Sequence, residues 1–91
     1  MNLELQIIWI DAATLEQHRF THCLYFKQPD HQVDKHEIER SVFKVVPGCK
    51  WVSAFEKRGR WTFTFTQLYR GQQVMSTGLV IPRKKENGNE Q

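Results

Sequence analysis

The side chains of this 91-residue chain with the broadest chemistry are four histidines and two cysteines. His18, His22 and Cys23 fall within six positions, and His31 and His36 follow. Imidazoles and thiolates ligate metals, but structural zinc sites pair them at short fixed spacings. Here there is no Cys-x-x-Cys and no second pair at finger spacing. On an extended backbone, His18 and His22 share a face but lie too far apart to chelate one ion, so no metal is expected. A metal-free nuclease would use His18 or His31 as acid or base, with lysine and arginine stabilising phosphate. No local signature marks Cys23 or Cys49 as an activated thiol, and no nucleophile, base and orienting group converge. Gly59, Gly71, Gly78 and Gly88 stand isolated, without a phosphate-cradling loop. The chain therefore reads as a non-enzyme without a cofactor.

Cations and rings carry more information. The net charge of +3 conceals a division along the chain. Residues 1–49 hold five basic against seven acidic side chains. Residues 50–85 hold Lys50, Lys57, Arg58, Arg60, Arg70, Arg83, Lys84 and Lys85 against Glu56 alone, a local +7. The same stretch contains Trp51, Phe55, Trp61, Phe63, Phe65 and Tyr69. Cations that neutralise phosphates, beside exposed rings that stack on bases, suit single-stranded nucleic acid or RNA. The candidate site is accordingly Lys50, Trp51, Phe55, Lys57, Arg58, Arg60, Arg70, Arg83, Lys84 and Lys85. Its partner is nucleic acid or an acidic protein surface. The alternative is a protein-interaction or inhibitor module acting through a strand edge or sheet face, a homodimer included.

Elements that position these residues follow from periodicity. Leu3, Leu5, Ile7 and Trp9 alternate with polar residues over 3–10, and Phe20, His22, Leu24 and Phe26 alternate over 18–27. Two antiparallel strands are expected, joined by a short polar loop. Gln28-Pro29-Asp30-His31 signals a turn. Asp34 and Glu37 make an acidic capping box before Ile38, Val42, Val45 and Val46, and Pro47-Gly48 ends a helix of about three turns. Period two returns at 51–56, 61–69 and 74–81, with Arg58-Gly59 and Arg70-Gly71 as tight turns.

The order ββαβββ predicts an α+β fold: an antiparallel sheet with a C-terminal three-stranded meander and one helix on a face. Residues 1–82 form a single domain, Pro82 ends the last strand, and 83–91 form a flexible charged tail. The expected core is Ile7, Trp9, Phe20, Leu24, Phe26, Ile38, Val42, Val46, Phe63, Phe65 and Leu79. If Arg58-Gly59 is a two-residue loop, Lys57 pairs Arg60, Phe55 pairs Thr62, Ser53 pairs Thr64 and Trp51 pairs Thr66. Trp51 and Phe55 then share the outer face with the threonines; a longer loop sends them to the apolar face.

No segment approaches the roughly 18 apolar residues of a membrane helix. Met1-Asn2-Leu3-Glu4 lacks the basic and apolar regions of a secretory signal. A cytoplasmic location and free thiols are expected.

Overall fold

The computed structural model describes residues 1–85. Six elements follow in the order β1 (Asn2–Ile10), β2 (Gln17–Tyr25), α1 (Lys35–Val45), β3 (Cys49–Lys57), β4 (Arg60–Tyr69) and β5 (Gln72–Lys85). All five strands join one antiparallel sheet in the order β2-β1-β5-β4-β3. The α+β fold and its ββαβββ order are as the periodicity indicates. No described helix is long and apolar enough to cross a membrane.

Both meander turns place two residues in the left-handed region, Arg58 (φ 56°) with Gly59 (φ 76°) and Arg70 (φ 51°) with Gly71 (φ 78°). Two consecutive positive φ angles define the hairpin turn whose twist matches the flanking strands. The two-residue loop fixes Lys57↔Arg60, Phe55↔Thr62 and Ser53↔Thr64. The fourth expected pair is corrected: the register shifts by one between Cys49↔Gln67 and Val52↔Phe65, so Lys50 and Trp51 together oppose Thr66. This bulge returns Cys49 to the buried face, where burial pushes its thiol pKa up.

α1 is capped as its sequence predicts. Asp34 Oδ1 accepts from Glu37 N–H at 2.9 Å, and Glu37 Oε1 accepts from Asp34 N–H at 2.9 Å. Ile38, Val42 and Val46 face the sheet, and each contributes about 1.5–3 kcal/mol of apolar burial. They meet Leu3, Leu5, Ile7 and Trp9 of β1, Val80 of β5, Trp61, Phe63 and Phe65 of β4, and Ala54 of β3. Buried Gln67 ties this layer to two loops: its Nε2 donates to Pro47 O at 3.1 Å, and its Oε1 accepts from Ala12 N–H at 3.3 Å. In the β1–β2 loop, Asp11 Oδ1 accepts from the N–H groups of Ala13 and Thr14 at 2.7 and 3.1 Å. These backbone bonds, Thr14 first, lower the Asp11 pKa.

Several expectations are corrected. Phe20 is 49% exposed and Leu79 39% exposed, while Leu24 and Phe26 are partly buried against the core. Phe20 lies on the helix side but past the helix's reach, whereas Leu79 pairs Thr62 on the opposite face. Pro82 does not end β5, which continues through Arg83 and Lys84 to Lys85. Pro82 stands across from Leu5, and its nitrogen points to the β4 side, past the last β4 partner at Trp61↔Val80. The missing N–H therefore breaks no ladder bond. β5 thus runs past residue 82 to Lys85, and residues 86–91 of the expected tail lie outside the described residues.

Candidate functional site

Strand parity sorts the candidate residues between two faces. The helix packs on one face. On the other, Phe55, Thr62, Leu79, Ile8 and Arg19 form a row across all five strands through the pairings Phe55↔Thr62↔Leu79↔Ile8↔Arg19. No described element covers this row. Trp51 is 71% exposed and Phe55 54% exposed, so both rings stand free of the core. Four residues of strand put them about 13 Å apart, with Ser53, Thr64 and Thr77 between them.

The cations divide by position. Lys57 and Arg60 face each other at the turn end of the β3–β4 hairpin, one row beyond Phe55. Arg58, at the turn itself, is exposed. Arg83 lies on the same open face and end, directly across from Glu4 of β1, which places an opposite charge beside it. Lys84 points to the helix side, where it lines a hollow with Leu3, Glu56, Trp61 and Pro82. Lys85 is placed by its backbone across from Asn2. Arg70 sits at the far end of the sheet, its guanidinium carbon 5.2 Å from the Tyr69 ring centre. Lys50 is exposed at the bulge. The fold therefore gathers Trp51, Phe55, Lys57, Arg58, Arg60 and Arg83 on or beside one surface, and separates Arg70 and Lys84 from it.

Met75, 71% exposed, joins this surface without having been singled out by sequence. It pairs Thr66 and, with Trp51, Ser53, Thr64 and Thr66, lines a shallow hollow of about 310 Å³. The signal was available: counting back from the Arg70-Gly71 turn gives the parity of β5 and puts Met75 and Leu79 on the open face. Thr66 Oγ1 is occluded and has no hydrogen-bond partner among the described residues.

The residues with acid-base or ligating chemistry are dispersed into structural contacts. His18 stacks on Trp9 with ring centres 5.4 Å apart. His31 stacks on Phe26 at 3.9 Å, and its Nε2 lies 3.0 Å from both carboxylate oxygens of Glu37. That carboxylate is already committed to the helix cap. His22 is half-buried between β2 and α1; desolvation, then the nearby Lys44 charge, lowers its pKa. Cys23 is exposed, Cys49 is buried, and both thiols are free. Among the described residues no three His, Cys, Asp or Glu side chains converge as a metal site would require.

No protein family matches this chain, and comparison with curated proteins and with solved structures finds no match to either.

Proposed function

We propose that the protein is a small, non-enzymatic binding module that takes up single-stranded nucleic acid, RNA included, on the open face of its sheet. The observation that supports this reading best is the joint exposure of Trp51 and Phe55 on an uncovered face bordered by Lys57, Arg60 and Arg83. Rings held about 13 Å apart on rigid strands offer two stacking platforms, and base–aromatic stacking contributes about 1–3 kcal/mol per base. The threonines between them carry no charge and present hydroxyl donors and acceptors. Cations at the hairpin end neutralise the backbone of a strand laid along β3 and β4.

Fluorescence titration tests the proposal. Trp9 and Trp61 are buried, so quenching by an added oligonucleotide reports chiefly on Trp51. Quenching by single-stranded RNA or DNA is expected, with affinity falling steeply as salt rises. Measured instead by anisotropy of a dye-labelled oligonucleotide, which does not depend on the Trp51 reporter, Trp51→Ala and Phe55→Ala should each weaken binding about tenfold or more. Absence of binding at low salt, or affinity independent of salt, removes the reading.

A second reading, contact with protein through a strand edge, is favoured by a separate observation at β2.

A further inference from the structure

The sheet ends on β3 and β2, and their outer backbone groups meet different surroundings. Closure of the Arg58-Gly59 hairpin makes Lys57↔Arg60 a narrow hydrogen-bonded pair. Alternation then turns the N–H and C=O groups of Glu56, Ala54 and Val52 outward. Ala54 N–H donates to Glu39 Oε2 at 2.8 Å, so a helix carboxylate occupies the middle of that edge. The bulge at Lys50 and Trp51 disrupts the remainder. Both devices keep an edge from adding a strand.

β2 has neither device. Met1 and Phe26 exchange backbone hydrogen bonds, which fixes the alternation along the β1–β2 pair. Leu24, His22, Phe20 and His18 bond inward, while Gln17, Arg19, Thr21, Cys23 and Tyr25 turn outward. These five residues are exposed, and the register with β1 runs unbroken over the strand's nine residues. The segment holds no proline or lysine, and its one formal charge is Arg19. No described strand lies beyond this edge.

We infer that the β2 edge pairs with the β2 edge of a second copy of this chain, antiparallel about a dyad at Thr21. The two sheets then run on as one, with both helices on one side and both open faces on the other. This dyad maps the outward set onto itself: Thr21 meets Thr21, Arg19 meets Cys23, and Gln17 meets Tyr25. The whole strand is paired without overhang, for about ten backbone hydrogen bonds.

Strand length and charge select this register over its neighbours: dyads at Phe20 or His22 leave Tyr25 or Gln17 without a partner. A dyad at Arg19 sets two guanidiniums directly opposite, which is destabilising. A dyad at Cys23 pairs only the part of the strand from Thr21 onward. On the helix side, the exposed ring of Phe20 comes opposite His22 of the second copy, so an aromatic pair forms where α1 does not reach. A foreign strand satisfies the same backbone groups, but β2 supplies its own complement at every position. With β3 blocked, one open edge per chain closes the assembly at two copies.

Sedimentation velocity of the full chain, from micromolar to millimolar concentration, should resolve a monomer–dimer equilibrium. Thr21→Arg places like charges at the dyad on an exposed position. It should raise the dimer dissociation constant at least tenfold, while circular dichroism and the Tm measured at concentrations where the native chain is monomeric stay unchanged. Phe55→Lys alters the open face alone and should leave the dimer intact. The register has its own readout. Hydrogen-bonded antiparallel partners lie about 5.5 Å apart at Cα, within disulfide range. Thr21→Cys in a Cys23→Ser background should therefore oxidise to a covalent dimer. In the native chain the two Cys23 thiols are offset by four residues, about 13 Å, and should not link. A monomer at every concentration overturns the inference, as does a dimer broken by Phe55→Lys and indifferent to Thr21→Arg. Crosslinking through native Cys23 in preference to Thr21→Cys overturns the register.

Discussion

The two faces of one sheet both carry large rings, under opposite constraints. On the covered face, Trp9, Trp61, Phe63 and Phe65 are at most 8% exposed and share a core with Ile38, Val42 and Val46. On the open face, Trp51 and Phe55 stand more than half exposed among threonines and cations. Their strands are contiguous and their side chains alternate, so neither composition nor β propensity separates the two groups. The distinction arises from one helix. Eleven residues of α1 span about 16 Å, against a sheet in a molecule 49 Å long, and they cover one side only. Rings beneath the helix hold the fold together, whereas rings on the other side contribute little to it and are free to meet a partner.

The sharpest way to break this contrast is a pair of equal truncations on opposite faces. Phe63→Ala removes a fully buried ring and should cost about 3–5 kcal/mol of stability in urea unfolding. Phe55→Ala removes an equal ring from the open face and should change stability by less than about 0.5 kcal/mol. Comparable losses at both positions would mean that the open face is covered in solution.

Gly78 gives the next largest effect, again confined to the covered side. A Cβ built there runs into the Phe63 ring and the Ile8 carbonyl oxygen, so the ring lies directly on the glycine backbone. Phe63 is fully buried and cannot swing aside cheaply. Gly78→Ala should destabilise the protein by about 1–3 kcal/mol, read as a lower denaturation midpoint with an unchanged slope.

Arg58 sharpens the contrast by separating stability from binding. Arg58→Asn relieves the left-handed backbone and should stabilise the fold by up to about 1 kcal/mol. If the guanidinium contacts a phosphate, the same change lowers the salt slope of single-strand binding by about 0.7. Opposite signs in the two measurements distinguish a functional arginine from a neutral turn residue. A gain in stability with an unaltered slope would remove Arg58 from the interface.

What the sequence disclosed, and what it withheld, follows the same division. Alternation identified the five strands, and the Asp34–Glu37 box identified the helix, because these signals are local. The Arg58-Gly59 register turned on loop length, a choice the backbone settles by placing both residues at positive φ. Alternation places Phe20 on the core side, because parity names a face but not how far a short helix extends over it. Alternation alone misplaces Leu79, because Leu79-Val80-Ile81 is an unbroken apolar run, and only counting from the Arg70-Gly71 turn gives its face. The bulge at Lys50 and Trp51 carries no residue signature, yet it decides that Cys49 is buried while Trp51 stays exposed. For the candidate site, the charge split located the right stretch of chain. It could not foresee that Lys84 turns to the helix side or that Met75 joins the open face.

The smallest expected effect lies at the boundary between the faces, where β2 runs beneath the margin of α1. His22 is half-buried there, and desolvation together with Lys44 holds its pKa below the usual 6.5. In the unfolded chain the imidazole takes up a proton as pH falls through 6.5, while the folded protein resists protonation until its own lower pKa is reached. The unfolded state therefore binds more protons across that window. The stability associated with neutral His22 is complete above pH 6.5 and declines as pH drops toward the folded value. Tm measured from pH 7.5 down to 5 should accordingly fall more in the native chain than in His22→Gln, which cannot titrate. Lys44→Gln removes the second cause and should reduce the decline partway, since desolvation is the larger one. Parallel Tm curves for native and His22→Gln proteins would mean that the imidazole is as well hydrated when folded as when unfolded, and that α1 leaves the outer half of β2 as open as the opposite face.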